Sequence, residues 1–118
     1  MEIKKLFDSE LKIMDIVWEK EPVSAKEISL IATDTIGWNK NTTYTIINKL
    51  IGKNVIKRTE PNFVCTSLER KEDVQKAETQ NLIDKLYNGS KKAFFAAFIE
   101  ENISDDELAE LKKLIEKR

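Results

Sequence analysis

Apolar side chains recur three and four positions apart through the first part of the chain, as they do on the buried face of a helix. One helix is predicted over residues 9–20, where Ser9 can cap the first turn and Pro22 stops the helix. A second helix is predicted from Ser24, because Ser24 and Glu27 have the spacing of a capping box. The positions expected to face the core are Leu11, Ile13, Met14, Ile16, Val17, Trp18, Ala25, Ile28, Leu30 and Ile31.

A third helix is predicted over residues 38–54. Asn39 is a good N-cap, and Asn54 tolerates the left-handed conformation in which many helices end. Gly37 suits a left-handed exit from the preceding helix. The expected buried face comprises Ile46, Ile47, Leu50 and Ile51. The outer face carries Lys, Asn, Thr and Tyr without any acid, which is unusual for a helix that serves packing alone.

After residue 54 the pattern changes to short segments that are rich in β-branched residues and partly alternate. Strands are predicted over residues 55–59 and 63–68. The Glu-Pro-Asn run at 60–62 predicts a tight turn, so the two strands form a hairpin. Cys65 lies in the second strand and is expected to be a small, partly buried residue.

The helical pattern returns over residues 71–88 and 90–102, and a capping box opens a last helix after residue 104. The chain is therefore predicted to be mostly α, in the α+β class. Three helices followed by a hairpin have the order of a winged helix-turn-helix, whose third helix enters the DNA major groove. We predict a winged helix-turn-helix DNA-binding domain over residues 1–70 and a helical dimerisation domain over residues 71–118.

The residue types restrict the chemistry that the chain can perform. Its 118 residues include one cysteine and no histidine, which excludes an internal disulfide, a His or multi-Cys metal site and a triad with an imidazole base. None of the three glycines belongs to a phosphate-cradling loop. We expect no enzyme, no metal and no cofactor. No run of 18 apolar residues and no signal-peptide core is present, so a cytoplasmic protein without a membrane partner is expected.

Basic residues are concentrated in one part of an otherwise balanced chain. The net charge is −1, yet residues 35–59 contain five Lys or Arg and no acid, so the remainder sums to −6. Such a stripe is expected of a surface that binds a polyanion, although five solvated bases can also cluster by chance. The stripe lies on the third helix and on the hairpin, or wing, which favours DNA as the polyanion that it binds.

The outer face of the third helix offers groups that read DNA. Asn pairs with adenine edges, the Thr methyl packs on the thymine methyl, and Lys reaches guanine or phosphate. The free N–H groups at the start of the helix suit a phosphate, and the two bases that open the wing suit the DNA backbone. The predicted DNA-binding residues are Asn39, Lys40, Asn41, Thr42, Tyr44, Thr45, Asn48, Lys49, Lys57 and Arg58.

The tail contains a segment at 93–99, AFFAAFI, that is apolar nearly all round and must be covered on several sides. A short helical tail cannot cover it well alone, but burial between two subunits can. A two-fold dimer also matches the paired half-sites that helix-turn-helix proteins bind. The alternative is that the tail folds back onto the N-terminal domain. The residues predicted at the dimer interface are Leu82, Leu86, Phe94, Phe95, Phe98, Leu111 and Ile115.

These segments resemble the penicillinase-repressor family of bacterial regulators over nearly the whole chain. The resemblance is carried by ELKIMDIVW at 10–18, SAKEI at 24–28, WNKNT at 38–42, TIINKL at 45–50, the wing, IDKLYNG at 83–89 and SDDELAEL at 104–111. It implies a homodimeric repressor that binds a dyad operator built on TACA and TGTA elements and blocks transcription of resistance genes. The positions that match the family's base- and phosphate-contacting residues are Asn41, Thr42, Tyr44, Thr45 and Lys49.

The resemblance also implies a mode of induction. In the antibiotic branch of the family, a membrane sensor-transducer detects a β-lactam, and the repressor is cut in the middle helix of its dimerisation region. The family's Asn-Phe cleavage pair aligns with Ala97-Phe98, where Phe is kept and Asn is not. A sensor-transducer protease is therefore a possible partner, and Ala97 and Phe98 form the candidate cleavage site.

Two other functions are compatible with the same residues. The aromatic tail can form an effector pocket in a ligand-responsive winged-helix regulator, which direct thermal stabilisation by β-lactams or other effectors would reveal. The winged helix can also serve as an adapter that binds protein instead of DNA. A gel shift on the DNA upstream of the gene distinguishes the adapter from the repressor.

Overall fold

The computed structural model describes residues 5–118, with Asn102 described by its backbone alone. The described residues form two compact units, 5–77 and 78–118, called here the first and the second unit. The elements are α1 (Asp8–Lys20), β1 (Val23–Ser24), α2 (Ala25–Thr35), α3 (Lys40–Gly52), β2 (Ile56–Thr59), β3 (Val64–Ser67), α4 (Lys71–Tyr87), α5 (Lys91–Asn102) and α6 (Asp105–Glu116). The predicted order of three helices, a hairpin and three helices is confirmed, with one short strand added.

An apolar core lies between α1, α2, α3 and the sheet of the first unit. Leu30 does not belong to it: the prediction was wrong, and the side chain is 64% exposed. The buried stripe of α2 runs through Ala25, Ile28 and Ala32, three and four residues apart, and Leu30 falls off that stripe. The side chains with no exposed surface include Ile13, Met14, Val17, Ala25, Ile28, Ala32, Ile47 and Leu50.

Side-chain caps begin two of these helices at the predicted positions. Ser24 Oγ accepts a hydrogen bond from the Glu27 backbone N–H at 3.1 Å, and Asn39 Oδ1 accepts one from the Thr42 N–H at 2.8 Å. Each of these bonds satisfies a first-turn N–H that has no partner within the helix. At the other end of α3, Asn54 takes the predicted left-handed conformation, with a φ of 61°.

The start of α1 differs from the prediction. Ser9 does not cap the helix, which begins at Asp8 with Phe7 in the N-cap position. The Glu10 carboxylate reaches back instead and accepts the Phe7 backbone N–H at 2.8 Å. Near the other end of α1, the half-buried Trp18 donates its indole N–H to the Glu69 carbonyl at 2.9 Å, which ties α1 to the residues after β3.

The wing belongs to a three-stranded antiparallel sheet with the order β1-β3-β2. Arg58 on β2 lies opposite Cys65 on β3, and Cys65 lies opposite Val23 on β1. Cys65 is fully buried, and this burial raises the pKa of its thiol to about 11. The thiol therefore stays protonated at neutral pH and serves as a small apolar residue of the core.

The second unit comprises the end of α4 with α5 and α6. Phe94 packs on Tyr87 and Phe98, with ring centroids 5.4 and 6.0 Å apart. Many large apolar side chains of this unit nevertheless remain exposed, including Phe95 at 54% and Phe98 at 46%. The others are Leu82, Leu86, Leu108, Leu111, Leu114 and Ile115. None of the described helices is long and apolar enough to cross a membrane.

Candidate functional site

The outer face of α3 presents the polar residues that the sequence singled out. Thr43, Ile46, Ile47 and Leu50 are buried on the inner side of the helix. The opposite side is open to solvent, and Tyr44 is half-buried at its margin. The exposed members of the predicted set on this helix are Lys40, Asn41, Thr42, Thr45, Asn48 and Lys49.

The first turn of α3 leaves backbone donors for a ligand. The Asn39 side chain satisfies the Thr42 N–H, and the Asn39 carbonyl accepts the Thr43 N–H at 3.2 Å. The backbone N–H groups of Lys40 and Asn41 come before the first residue whose N–H bonds within the helix, so they have no partner in it. They lie at the N-terminal end of α3, which is the positive end of the helix dipole. The Thr45 hydroxyl donates to the Asn41 carbonyl at 2.9 Å, so this hydroxyl is already engaged within the helix.

One of the five bases in the stripe is withdrawn from the surface. Lys53 Nζ lies 2.7 Å from Glu10 Oε1 and 4.6 Å from the centre of the Phe7 ring. The Glu10 side chain is 2% exposed and that of Lys53 is 29% exposed. This pair joins the C-terminal end of α3 to the start of α1. Lys53 therefore holds α3 in place, a role that the local sequence did not indicate.

A second base, Arg58, is held on the wing. Its Nε lies 2.6 Å from Glu60 Oε2, and its guanidinium carbon lies 3.6 Å from the centre of the Phe63 ring. The hydrogen bond from Arg58, with a second from the Phe63 backbone N–H, lowers the pKa of Glu60. Both charged side chains are about half exposed, and such surface pairs contribute little to stability. The pair orients Arg58 more than it stabilises the fold.

Phe63 connects the wing with α3. Its ring meets the Tyr44 ring edge-on, with centroids 5.9 Å apart at an interplanar angle of 87°. Lys40 Nζ lies 5.6 Å from the centre of the Tyr44 ring. We call Lys40, Tyr44, Phe63 and Arg58 together the wing stack. The sequence pattern did not single out Phe63 as a residue of this site. Its position directly after the predicted turn was the only hint that it lies at the tip of the wing.

The remaining bases are open to solvent. Among residues 5–118, Lys40, Lys49 and Lys57 are exposed and have no acidic partner. With Arg58 on the wing, four of the five predicted positive charges lie at the surface on α3 and β2. Within the same described residues, no group of three or more Cys, Asp or Glu is placed to hold a metal ion.

Solved structures with a similar fold are bacterial regulators. The multiple antibiotic-resistance repressor MarR from Listeria monocytogenes 4b F2365 aligns with 95% of this chain and 72% of its own, at a TM-score of 0.57 and 19% identity. Staphylococcus aureus MarR in complex with salicylate and kanamycin aligns with 95% and 70%, at a TM-score of 0.54 and 16% identity. At these identities the likeness establishes the fold alone, and it confirms the predicted winged-helix fold class.

Sequence relatives give the family. The methicillin resistance regulatory protein MecI of Staphylococcus aureus (strain N315) is 30% identical over 117 residues, covering 97% of this chain and 95% of the relative. A penicillinase repressor of Staphylococcus aureus is 28% identical over 110 residues, covering 91% and 87%. The family model described as penicillinase repressor matches residues 6–117. The chain therefore belongs to the penicillinase repressor family of transcriptional regulators.

Proposed function

We propose that the chain is a homodimeric transcriptional repressor that binds a palindromic DNA operator through α3 and the wing. One observation carries the proposal: the outer face of α3 is exposed, basic and free of acids, in a chain of a repressor family. Any acid on this face would be repelled by phosphate, whereas Lys40 and Lys49 attract it. Outside residues 35–59 the chain sums to −6, so the net charge of this surface is opposite to that of the remainder.

The proposed complex places α3 in the major groove. Asn41, Thr42, Thr45 and Asn48 face base edges, where amides and methyl groups discriminate adenine and thymine. Phosphates are held at both margins of the groove. The groups that hold them are the Asn39 end of α3, Lys40, Lys49, Lys57 and Arg58. We assign DNA binding to residues 1–70 and propose an operator with TACA and TGTA elements.

We assign dimerisation to residues 71–118. The second unit exposes Phe95, Phe98, Leu111 and Ile115 with several other large apolar side chains, more than a soluble surface of about 40 residues ordinarily carries. A second copy of the chain covers such a surface symmetrically, and the resulting two-fold axis brings two α3 helices to the two halves of a palindrome.

The relatives' names concern methicillin resistance and penicillinase, which supports a β-lactam-resistance-type regulon for this chain. Induction by a sensor-transducer protease is proposed at Ala97-Phe98, both exposed on α5. A protease requires an extended substrate, so cleavage needs local unwinding of α5. The protein acts in the cytoplasm in this proposal, where DNA and the inner side of a membrane sensor are both accessible.

Binding to the DNA upstream of its own gene tests the proposal. In a gel-shift titration we expect the wild-type chain to shift this duplex at least 100-fold more tightly than a scrambled duplex, since specific binding commonly exceeds non-specific binding by about 10³ or more. The affinity should fall steeply as the salt concentration rises. A shift that is equal on both duplexes, or that is insensitive to salt, would show that the chain is not a sequence-specific repressor.

Two substitutions on α3 should separate phosphate contacts from base contacts. Lys49→Ala should weaken binding to specific and scrambled duplexes alike and reduce the salt slope by about 1. Thr45→Ala removes the methyl group proposed to face a base. It should weaken binding to the upstream duplex by about ten-fold, with little change on the scrambled one, because the loss of one correct base pair typically costs about 1–3 kcal/mol. Fluorescence anisotropy over a salt series measures both quantities. Equal losses on both duplexes for both variants would contradict this division.

A further inference from the structure

We propose that Phe63 is a positioning residue that couples the wing to α3, and that Tyr44 acts through this coupling and not by reading a base. The inference rests on the proposed function, since the coupled parts are the two DNA-contacting elements. Its chemical consequence is that a neutral aromatic residue controls how many phosphates the wing bases engage.

The contacts of the Phe63 ring are the first support. One side of the ring carries the Arg58 guanidinium, 3.6 Å away, and the Tyr44 ring meets it edge-on at 5.9 Å. A guanidinium stacked on an aromatic face is attracted by the ring quadrupole, and here the ring acts together with the Glu60 carboxylate to orient Arg58. The wing stack therefore fixes the wing arginine relative to a residue in the second turn of α3.

The backbone at Phe63 is the second support. Phe63 has a φ of 50°, in the left-handed region that residues with a side chain rarely adopt. Two hydrogen bonds hold it there: its N–H donates to Glu60 Oε1 at 3.2 Å, and its carbonyl accepts the Ala25 N–H at 2.9 Å. An unfavourable conformation persists when its surroundings determine it. The direction of the ring is thus set by the turn and by the start of α2.

The position of Tyr44 is the third support. It lies on the DNA-facing helix but is half-buried, and its ring contacts both the Lys40 ammonium and the Phe63 ring. A half-buried ring that is engaged by these two contacts is poorly placed to enter a base step. Its exposed neighbours Asn41, Thr45 and Asn48 are free to approach the bases instead.

Salt dependence of DNA binding distinguishes coupling from simple packing. The slope of log K against log salt counts the phosphates neutralised, so it should not respond to the loss of an uncharged side chain. If Phe63 orients the wing, Phe63→Leu and Phe63→Ala should each lower the slope by about 1, matching Arg58→Ala, and weaken binding by about ten-fold at 150 mM salt. Tyr44→Leu, which removes the ring that Phe63 contacts, should lower the slope by a similar amount and keep the ratio of the affinities for the upstream and scrambled duplexes.

The experiment uses the full chain, the duplex from upstream of its gene, and the scrambled duplex. Thr59→Ala, an exposed neutral wing residue, is the matched control and should keep the wild-type slope. Circular dichroism shows which variants remain folded. If Phe63→Ala is unfolded, the result for Phe63→Leu decides the test. A wild-type chain that does not prefer its upstream duplex overturns the proposed function and this inference together. Two results overturn this inference alone when the wild-type chain prefers its upstream duplex: an unchanged slope in Phe63→Leu, or a Tyr44→Leu variant that loses this preference.

Discussion

Replacing Lys53 by methionine is expected to lower the free energy of unfolding of the first unit by about 2–4 kcal/mol, because it leaves the Glu10 carboxylate buried without its cation. Glu10 Oε1 accepts from both Lys53 Nζ and the Phe7 N–H, at 2.7 and 2.8 Å. Its Oε2 is buried and has no hydrogen-bond partner in the described chain. A carboxylate in this position cannot recover its lost hydration from the surface, so the ammonium is its main compensation.

Urea unfolding followed by tryptophan fluorescence measures this effect. Lys49→Met on the exposed face of the same helix is the matched control, and it should change the stability by less than about 0.5 kcal/mol. Adding Glu10→Gln to Lys53→Met should restore part of the loss, because the buried side chain is then uncharged and can still accept the Phe7 N–H. If the two lysine substitutions have equal effects on stability, the ion pair does not hold α3 to α1.

The second large effect is expected in the second unit. Phe98→Asp should raise the dissociation constant of the proposed dimer by about 100-fold or more, since a central aromatic anchor is worth about 2 kcal/mol or more and a buried unpaired charge adds a further penalty. Phe98 is 46% exposed within one chain, so about half of its side chain is available to a second copy. The other half contacts its own chain, including Phe94, so circular dichroism first verifies that the variant is folded. The folded variant should sediment as a monomer.

Analytical ultracentrifugation over a concentration series measures this shift. Glu100→Gln, an exposed change on the same helix, is the control and should leave the association constant unchanged. Phe95→Asp should act like Phe98→Asp, because both residues belong to the exposed apolar set. A dimer that persists in both variants would place the interface away from α5.

The helices and the hairpin could be predicted because their signals are local. Ser24 and Asn39 each accept an N–H three residues ahead, so a short window of sequence contains both partners of the bond. The exposed face of α3 could also be predicted, because the helical period places Ile46 and Leu50 on the opposite, buried face. Family resemblance added the repressor function, which periodicity alone does not contain.

The features that escaped prediction depend on distant partners. Lys53 was counted with the surface bases because its partner Glu10 lies 43 residues away in the chain. The strand β1 is two residues long and becomes a strand through pairing with Val64 and Cys65. Tyr44 fitted the pattern of an outer-face residue, and its contact with Phe63 across the wing was not visible from the helix. A sequence pattern assigns a residue to a face but does not identify what meets that face.

Ser24 has a consequence for how this chain tolerates changes in length. Its backbone pairs with Val64 in the sheet, while its hydroxyl caps α2 by accepting the Glu27 N–H. The next residue, Ala25, donates its N–H to the Phe63 carbonyl. One inserted residue here would shift the strand register and uncap the helix at once, so this junction should reject insertions.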